Sequence, residues 1–113
     1  MLTPQPLIEG VLIADAATTY YTAPAGAKAI FRKLTLANTT AGAITVTLYL
    51  IPAGQTAGAA YALLNAVSVA AGATRDCAEI FNQVVGPGGF LQAVASAAGG
   101  VSLRASGFEW TAV

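Results

Sequence analysis

One stretch of the chain alternates apolar and other side chains almost without a break, and it restricts the fold more than any other feature. In residues 44–50 the apolar members are Ile44, Val46, Leu48 and Leu50, and Thr45, Thr47 and Tyr49 lie between them. A period of two places one set on a buried face of a β-strand and the other set on the opposite face. A less regular alternation and a turn-forming segment precede this stretch. Residues 29–51 therefore predict an antiparallel hairpin at the centre of an all-β core.

Further short runs of strand-forming residues follow one another between turns rich in Gly, Pro, Ala and Thr. These runs are 17–23, 61–70, 74–85, 90–95 and 101–106. Residues 74–85 fit the pattern least well and are interpreted as a strand followed by a bend. The last two runs predict a second hairpin around residues 96–100, and Gly107 allows a bulge after it. About eight short strands at this spacing predict an antiparallel β-sandwich, of jelly-roll or immunoglobulin-like kind.

Residues 1–16 differ in character from the single sandwich domain predicted for residues 17–113. Two prolines interrupt the segment early, and apolar side chains follow them. One interpretation is an edge strand, where proline is tolerated. The other is an extended N-terminal arm that lies on a neighbouring subunit. On that interpretation the predicted protein-interface residues are Leu7, Ile8, Val11 and Leu12.

The charge content bears on the class of partner. Only 9% of the 113 residues are charged, and five acidic residues balance five basic ones. Ordinary soluble domains contain about 25% charged residues. A chain with few charges and no net charge associates easily, so we expect partners, including further copies in a dimer or trimer, to cover much of its surface. The neutral balance argues against nucleic acid as a partner, because phosphate binding needs a basic excess.

No segment of the sequence predicts a membrane span or a secretory signal. Residues 34–74 contain no charge, but Gly, Pro and Asn break them into pieces too short to cross a bilayer as a helix. The N-terminus has no basic residue before its apolar run. We therefore expect synthesis in a cytoplasm and no membrane partner.

The sequence offers no catalytic, cofactor or metal site. Histidine is absent, which removes the commonest general base and metal ligand. Cys77 has no activating base beside it and is interpreted as a buried structural residue. Asp76 and Glu79 are candidates for the paired carboxylates of a glycosidase, but three residues apart on a strand they face opposite sides, so an ion pair with Arg75 or Arg104 is expected instead. Residues 86–89 match no phosphate-binding pattern and predict a turn.

Two further patterns have a functional and a structural interpretation. Asn38-Thr39-Thr40 fits the N-glycosylation sequon, which matters only in a secreted eukaryotic chain. The four tyrosines could line a carbohydrate-binding surface, although tyrosines in strands usually contribute half-buried packing. They are Tyr20, Tyr21, Tyr49 and Tyr61.

The runs ATTYYTAPAGAKAIFRKLTLANTTAGAITVTLYLIPAG, SVAAGAT, GPGGFLQAVAS and VSLRASGFEW resemble small virion proteins of tailed bacteriophages. The resemblance covers residues 17–110 and rests on framework segments such as YYTAP and LTLANTT, so it carries over no catalytic residue. It implies a β-sandwich module of the virion, made in the host bacterial cytoplasm. The implied role is a capsid decoration or cement protein that binds the major capsid protein. The alternative is a tail, baseplate or fibre component, including one that contacts the host surface, and a carbohydrate-binding module is a third, weaker one.

Overall fold

The computed structural model describes residues 5–111 and shows a sandwich of two antiparallel sheets. The strands are β1 (Gln5–Leu12), β2 (Thr18–Thr22), β3 (Ala27–Asn38), β4 (Ile44–Ile51), β5 (Ala62–Val69), β6 (Thr74–Asp76), β7 (Val84–Val85), β8 (Phe90–Ala95) and β9 (Val101–Thr111). Two 3₁₀ turns, Ala59–Tyr61 and Ala78–Ile80, precede β5 and β7. Sheet I has the order β1-β9-β3-β6, with β7 also paired to β3, and sheet II has the order β2-β8-β4-β5.

The pairing of the strands identifies the sandwich as a jelly roll. Its antiparallel pairs are nested: β4 with β5, then β3 with β6 and β7, then β2 with β8, and outermost β1 with β9. Such nesting is the double Greek key of a jelly roll, in which β6 and β7 together occupy one strand position. The all-β sandwich prediction is confirmed, and of its two variants the jelly roll is the one observed.

Both predicted hairpins are wrong, because each pair of strands is divided between the sheets. β3 lies in sheet I and β4 in sheet II, while β8 lies in sheet II and β9 in sheet I. Residues 39–43 and 96–100 are therefore corners that carry the chain from one sheet to the other. The two corners contact each other, since Thr39 N donates to Gly100 O at 3.0 Å.

Asn38 explains why the first corner does not close into a hairpin. Its side chain is 2% exposed, and its Nδ2 donates to Gly42 O (2.8 Å) and to Val69 O of sheet II (2.9 Å). Its Oδ1 accepts from Thr40 N at 2.9 Å and from Thr40 Oγ1 at 2.7 Å. The buried amide thus ties the end of a sheet I strand to sheet II. An amide in this environment is inaccessible for glycosylation.

The core lies between the sheets and contains the predicted alternating residues. Its largest fully buried side chains include Phe31, Leu34 and Leu36 from sheet I and Val46, Leu48 and Leu91 from sheet II. Alanines also lie in this layer, among them Ala29, Ala93 and Ala105, and their small size allows the sheets to approach closely. These buried positions account for part of the high alanine content of the chain.

The segment 74–85, predicted as a strand followed by a bend, forms β6, a 3₁₀ turn and β7. At the other end of sheet I, Gly107 does not end the last strand, which continues to Thr111. The bulge or bend expected at Gly107 lies instead on the opposing strand β3, between Phe31 and Lys33, where Arg32 is the extra residue opposite Gly107 and Ser106.

Candidate interaction surfaces

Cys77 is buried, as predicted, and is not activated as a nucleophile. Cys77 is 0% exposed, and its backbone N donates to Leu34 O at 2.9 Å. Burial raises the pKa of the Cys77 thiol to about 11, an effect that the charge of Arg75 only partly opposes. At neutral pH the sulfur is therefore a buried, protonated packing group.

The two neighbouring carboxylates have separate cationic partners. Arg75 Nη2 donates to Glu79 Oε2 at 2.9 Å, which confirms the expected ion pair for Glu79. Asp76 pairs instead with Lys33 (Nζ–Oδ2 3.9 Å) and accepts a hydrogen bond from Thr35 Oγ1 at 3.0 Å. Asp76 therefore does not form the expected ion pair with Arg75 or Arg104.

Residues 5–111 contain neither a cluster of metal ligands nor a membrane-spanning helix. No group of three or more His, Cys, Asp or Glu in this part of the chain could hold a metal ion. No helix there has the length and apolar content needed to cross a membrane.

The predicted N-terminal contact residues fall into two groups. Residues 5–12 form β1, an edge strand of sheet I, while residues 1–4 of the postulated arm lie outside the described part. Ile8 is 4% exposed and Leu7 is half-buried, and both pack into this chain's own core. Val11 and Leu12 are 36% and 56% exposed. We name these two residues the β1 tip, because they alone of the four extend into solvent.

The outer face of sheet II has no charged residue. None of the residues in β2, β4, β5 and β8 is Asp, Glu, Lys or Arg, and every charge of the chain lies on a sheet I strand or in a connection. The central part of this face consists of half-buried side chains of β4 and β8: Thr45, Thr47, Tyr49, Phe90, Gln92 and Val94. Gln92 Nε2 donates to Thr19 Oγ1 of β2 at 3.0 Å. We call this surface the uncharged face.

Sheet I has a contrasting outer surface, which is cut by a groove of about 320 Å³ above β9. Lys33 and Thr35 of β3 line one side of the groove, and Pro6 of β1 lines the other. Arg104 and Ser106 of β9 line it between them. Lys28, Arg32 and Lys33 are all exposed on β3, which is an inner strand of this sheet.

A smaller, apolar pocket lies where β4 and β7 end. Its volume is about 140 Å³, and its lining consists of Leu50, Ile51, Pro52, Val84, Val85 and Gly86. Val84 is 52% exposed at the rim and pairs with Ile30, which in turn pairs with Phe108. Directly paired residues lie on the same face of a sheet, so these three side chains form an apolar row across sheet I. We call the pocket and this row together the apolar socket.

The tyrosines do not form one surface. Tyr21 of β2 is 8% exposed and packs edge-to-face against Phe31, with ring centroids 5.5 Å apart, while Tyr20, Tyr49 and Tyr61 are half-buried. Tyr20 Oη accepts from Ala14 N at 2.8 Å. The Tyr21 hydroxyl donates to a carboxylate oxygen of Glu109, and this contact joins sheet II to sheet I. Burial, followed by the hydrogen bond and the charge of Glu109, raises the pKa of the Tyr21 phenol well above its usual range.

This contact predicts a weakness of the fold at alkaline pH. The folded state binds the Tyr21 proton more tightly than the unfolded chain does. The protonated phenol therefore contributes fully to the free energy of unfolding below about pH 10, and this contribution is lost as the pH rises towards the raised pKa. The free energy of unfolding should fall by up to about 1.4 kcal/mol per pH unit in that window from this group. Tyr21→Phe keeps the ring and should flatten the slope in urea titrations from pH 8 to 11. Tyr49→Phe is the matched control, and equal slopes for both variants would refute the assignment.

Comparisons with known proteins identify the fold but no family. No protein-family model and no curated protein sequence matches the chain. A structure of the disulfide-linked pili of Bacillus endospore appendages has a similar fold, with a TM-score of 0.60 and 16% identity over 99% of this chain and 89% of that one. A chain of infectious bursal disease virus, Gx strain, gives a TM-score of 0.54 and 18% identity over 96% of this chain. The present chain spans 31% of that viral chain.

Proposed function

We propose that this chain is a non-enzymatic structural subunit of a bacteriophage virion, and specifically a capsid decoration or cement protein. It would bridge major capsid subunits and stabilise the assembled shell. The observation that carries the proposal is the uncharged face, because the centres of protein interfaces are depleted of charge. The resemblance to phage virion proteins supports it, as does the occurrence of the fold in a pilus and in a virus particle.

The size of the uncharged face indicates that it does not act alone. Four strands about 4.8 Å apart, with up to eight residues at about 3.4 Å each, span a flat area of roughly 500 Å². A standard interface buries about 800 Å² on each partner. The β1 tip supplies a second contact with a neighbouring subunit of the assembly. Binding to the assembled shell and not to its free subunits would stabilise the shell by linkage.

An isosteric substitution tests the uncharged face. Gln92→Glu places a negative charge at the centre of this face, while the Thr19 hydroxyl, which accepts from Gln92 in the wild type, can instead donate to the new carboxylate. We expect about a tenfold or larger loss of affinity for purified, undecorated shells, since an unpaired charge would be buried. Gln83→Glu, which makes the same change at an exposed site beside sheet I, should bind like the wild-type chain. Equal binding of both variants would remove the uncharged face from the proposal.

A tail, baseplate or fibre component is the second candidate. It is favoured by the similarity to the pilus structure, which extends over 89% of that chain. Covalent linkage of the kind named for those pili has no counterpart in the described fold, because the single cysteine of this chain, Cys77, is buried.

The copy number per virion decides between the two candidates. Quantitative mass spectrometry of purified particles gives the ratio of this chain to the major capsid protein. A ratio near one to one, or one to a few, supports the decoration protein. A ratio tens of times lower supports the tail component, and absence from the particle contradicts both.

A further inference from the structure

We propose that copies of this chain associate head to tail, with Leu12 of one copy inserted into the apolar socket of the next. The inference rests on the proposed role of the β1 tip as a contact and goes beyond it by naming the partner. It starts from the exposure of large apolar side chains. In the described part of the chain, those that are exposed are Val11, Leu12 and Val84, and they belong to the tip and to the socket.

The tip and the socket lie at opposite ends of sheet I. Leu12 pairs with Ser102 near the start of β9, whereas Val84 pairs with Ile30, which faces Phe108 further along β9. Six residues of strand separate Ser102 from Phe108, a distance of about 20 Å. One copy therefore cannot cover its own socket with its own tip, but a second copy placed end to end can.

The dimensions of the two surfaces match. The pocket of the socket has a volume of about 140 Å³ and apolar walls, of which Ile51 and Val85 are buried. An apolar cavity of about 150 Å³ accommodates a benzene molecule. A leucine side chain has fewer heavy atoms than benzene and therefore fits.

The charges near the two surfaces favour a tip-to-socket contact over a tip-to-tip contact. Asp15 is exposed three residues after Leu12, and Lys28 is exposed two residues before Ile30 of the socket. A head-to-tail arrangement brings the carboxylate towards the ammonium group. A symmetric contact between two tips would bring two carboxylates together and leave both sockets uncovered. Because the contact joins two different surfaces, it repeats and generates a ring or a filament.

Engineered disulfides test this arrangement with the full chain. Leu12→Cys and Val84→Cys are made separately and together, and the buried Cys77 is left in place. Under mild oxidation, an equimolar mixture of the two single variants should form at least about tenfold more disulfide-linked dimer than either variant alone. The chain with both substitutions should give a ladder of dimers, trimers and larger species on non-reducing gels. The wild-type chain is the control for Cys77 and should form none of these products.

Several results would overturn the proposal. Equal cross-linking of Leu12→Cys with itself would indicate a symmetric tip contact, and a double variant that stops at dimers would exclude repetition. A wild-type chain that sediments as a monomer at every concentration, with no ladder from the double variant, would exclude self-association. Leu12→Ser should raise the concentration needed for association about tenfold or more, as expected for the loss of a buried leucine. These measurements need no capsid, so they can fail while shell binding survives.

Discussion

Gly107→Ala should destabilise the fold by at least about 3 kcal/mol, which is a large part of the 5–15 kcal/mol typical of a domain. A β-carbon at Gly107 would lie 1.9 Å from Ile30 O and 3.2 Å from Arg32 N. Both atoms belong to the backbone of β3 at its bulge, so no side-chain rotation relieves the clash. The substitution forces apart β9 and β3, the two central strands of sheet I.

Urea denaturation of Gly107→Ala beside Gly58→Ala measures this effect. Gly58 has an extended backbone, and a β-carbon there would meet nothing within 4 Å. The control should change the free energy of unfolding by no more than about 1 kcal/mol. If the two variants unfold at the same urea concentration, the close approach of β9 to β3 at Gly107 is incorrect.

Asn38→Ala should cost about 2–4 kcal/mol, because it removes four hydrogen bonds of a buried side chain, one of them to the carbonyl of the buried Val69. The carbonyl of Val69 loses its donor inside the protein, and the corner after β3 loses its link to sheet II. Asn65→Ala is the matched control, since Asn65 is exposed on β5 and no hydrogen bond is recorded for its side chain. Its effect should stay within about 0.5 kcal/mol.

Asn38→Asp gives an independent readout of the same network. The new carboxyl would lie beside the carbonyl oxygens of Gly42 and Val69, which repel its charged form. Its protonated form is favoured in the folded state, so the variant should gain stability relative to wild type as the pH falls below neutral. Stability that falls with acidification in parallel with wild type would show that the side chain is solvated.

The strands could be predicted from the sequence because alternation is a local property. Residues 44–51 form β4, in which Ile44, Val46 and Leu48 are buried as predicted and Leu50 is half-buried. Residues 90–95 and 101–106 lie within β8 and β9. Alternation determines which face of a strand is buried, but it does not determine which sheet the strand joins. The corner after β3 depends on a hydrogen bond from Asn38 to Val69, 31 residues away, and no local pattern contains that contact.

The candidate surfaces, like the strands, could be predicted from the sequence only in part. The absence of charge from residue 34 to residue 74 is visible in the sequence, and so are the apolar residues of β1. Only the strand order shows that β4 and β5 share a sheet with the equally uncharged β2 and β8. Ile8 belongs to the core because the bulges of β1 set its register against Ala105, a tertiary effect that apolar composition could not reveal.

The strand β9 is central in sheet I but is synthesised late, and this affects how the chain folds on the ribosome. This strand lies between β1 and β3, and the ribosome makes it after every other strand of the described fold. Until residues 101–111 emerge, β1 has no partner strand and β3 has an open edge, which is the kind of surface that promotes aggregation. Both the β1 tip and the Phe108 end of the socket need β9 in place. On the proposed head-to-tail association, a nascent chain therefore acquires its tip and its complete socket only when β9 has been translated.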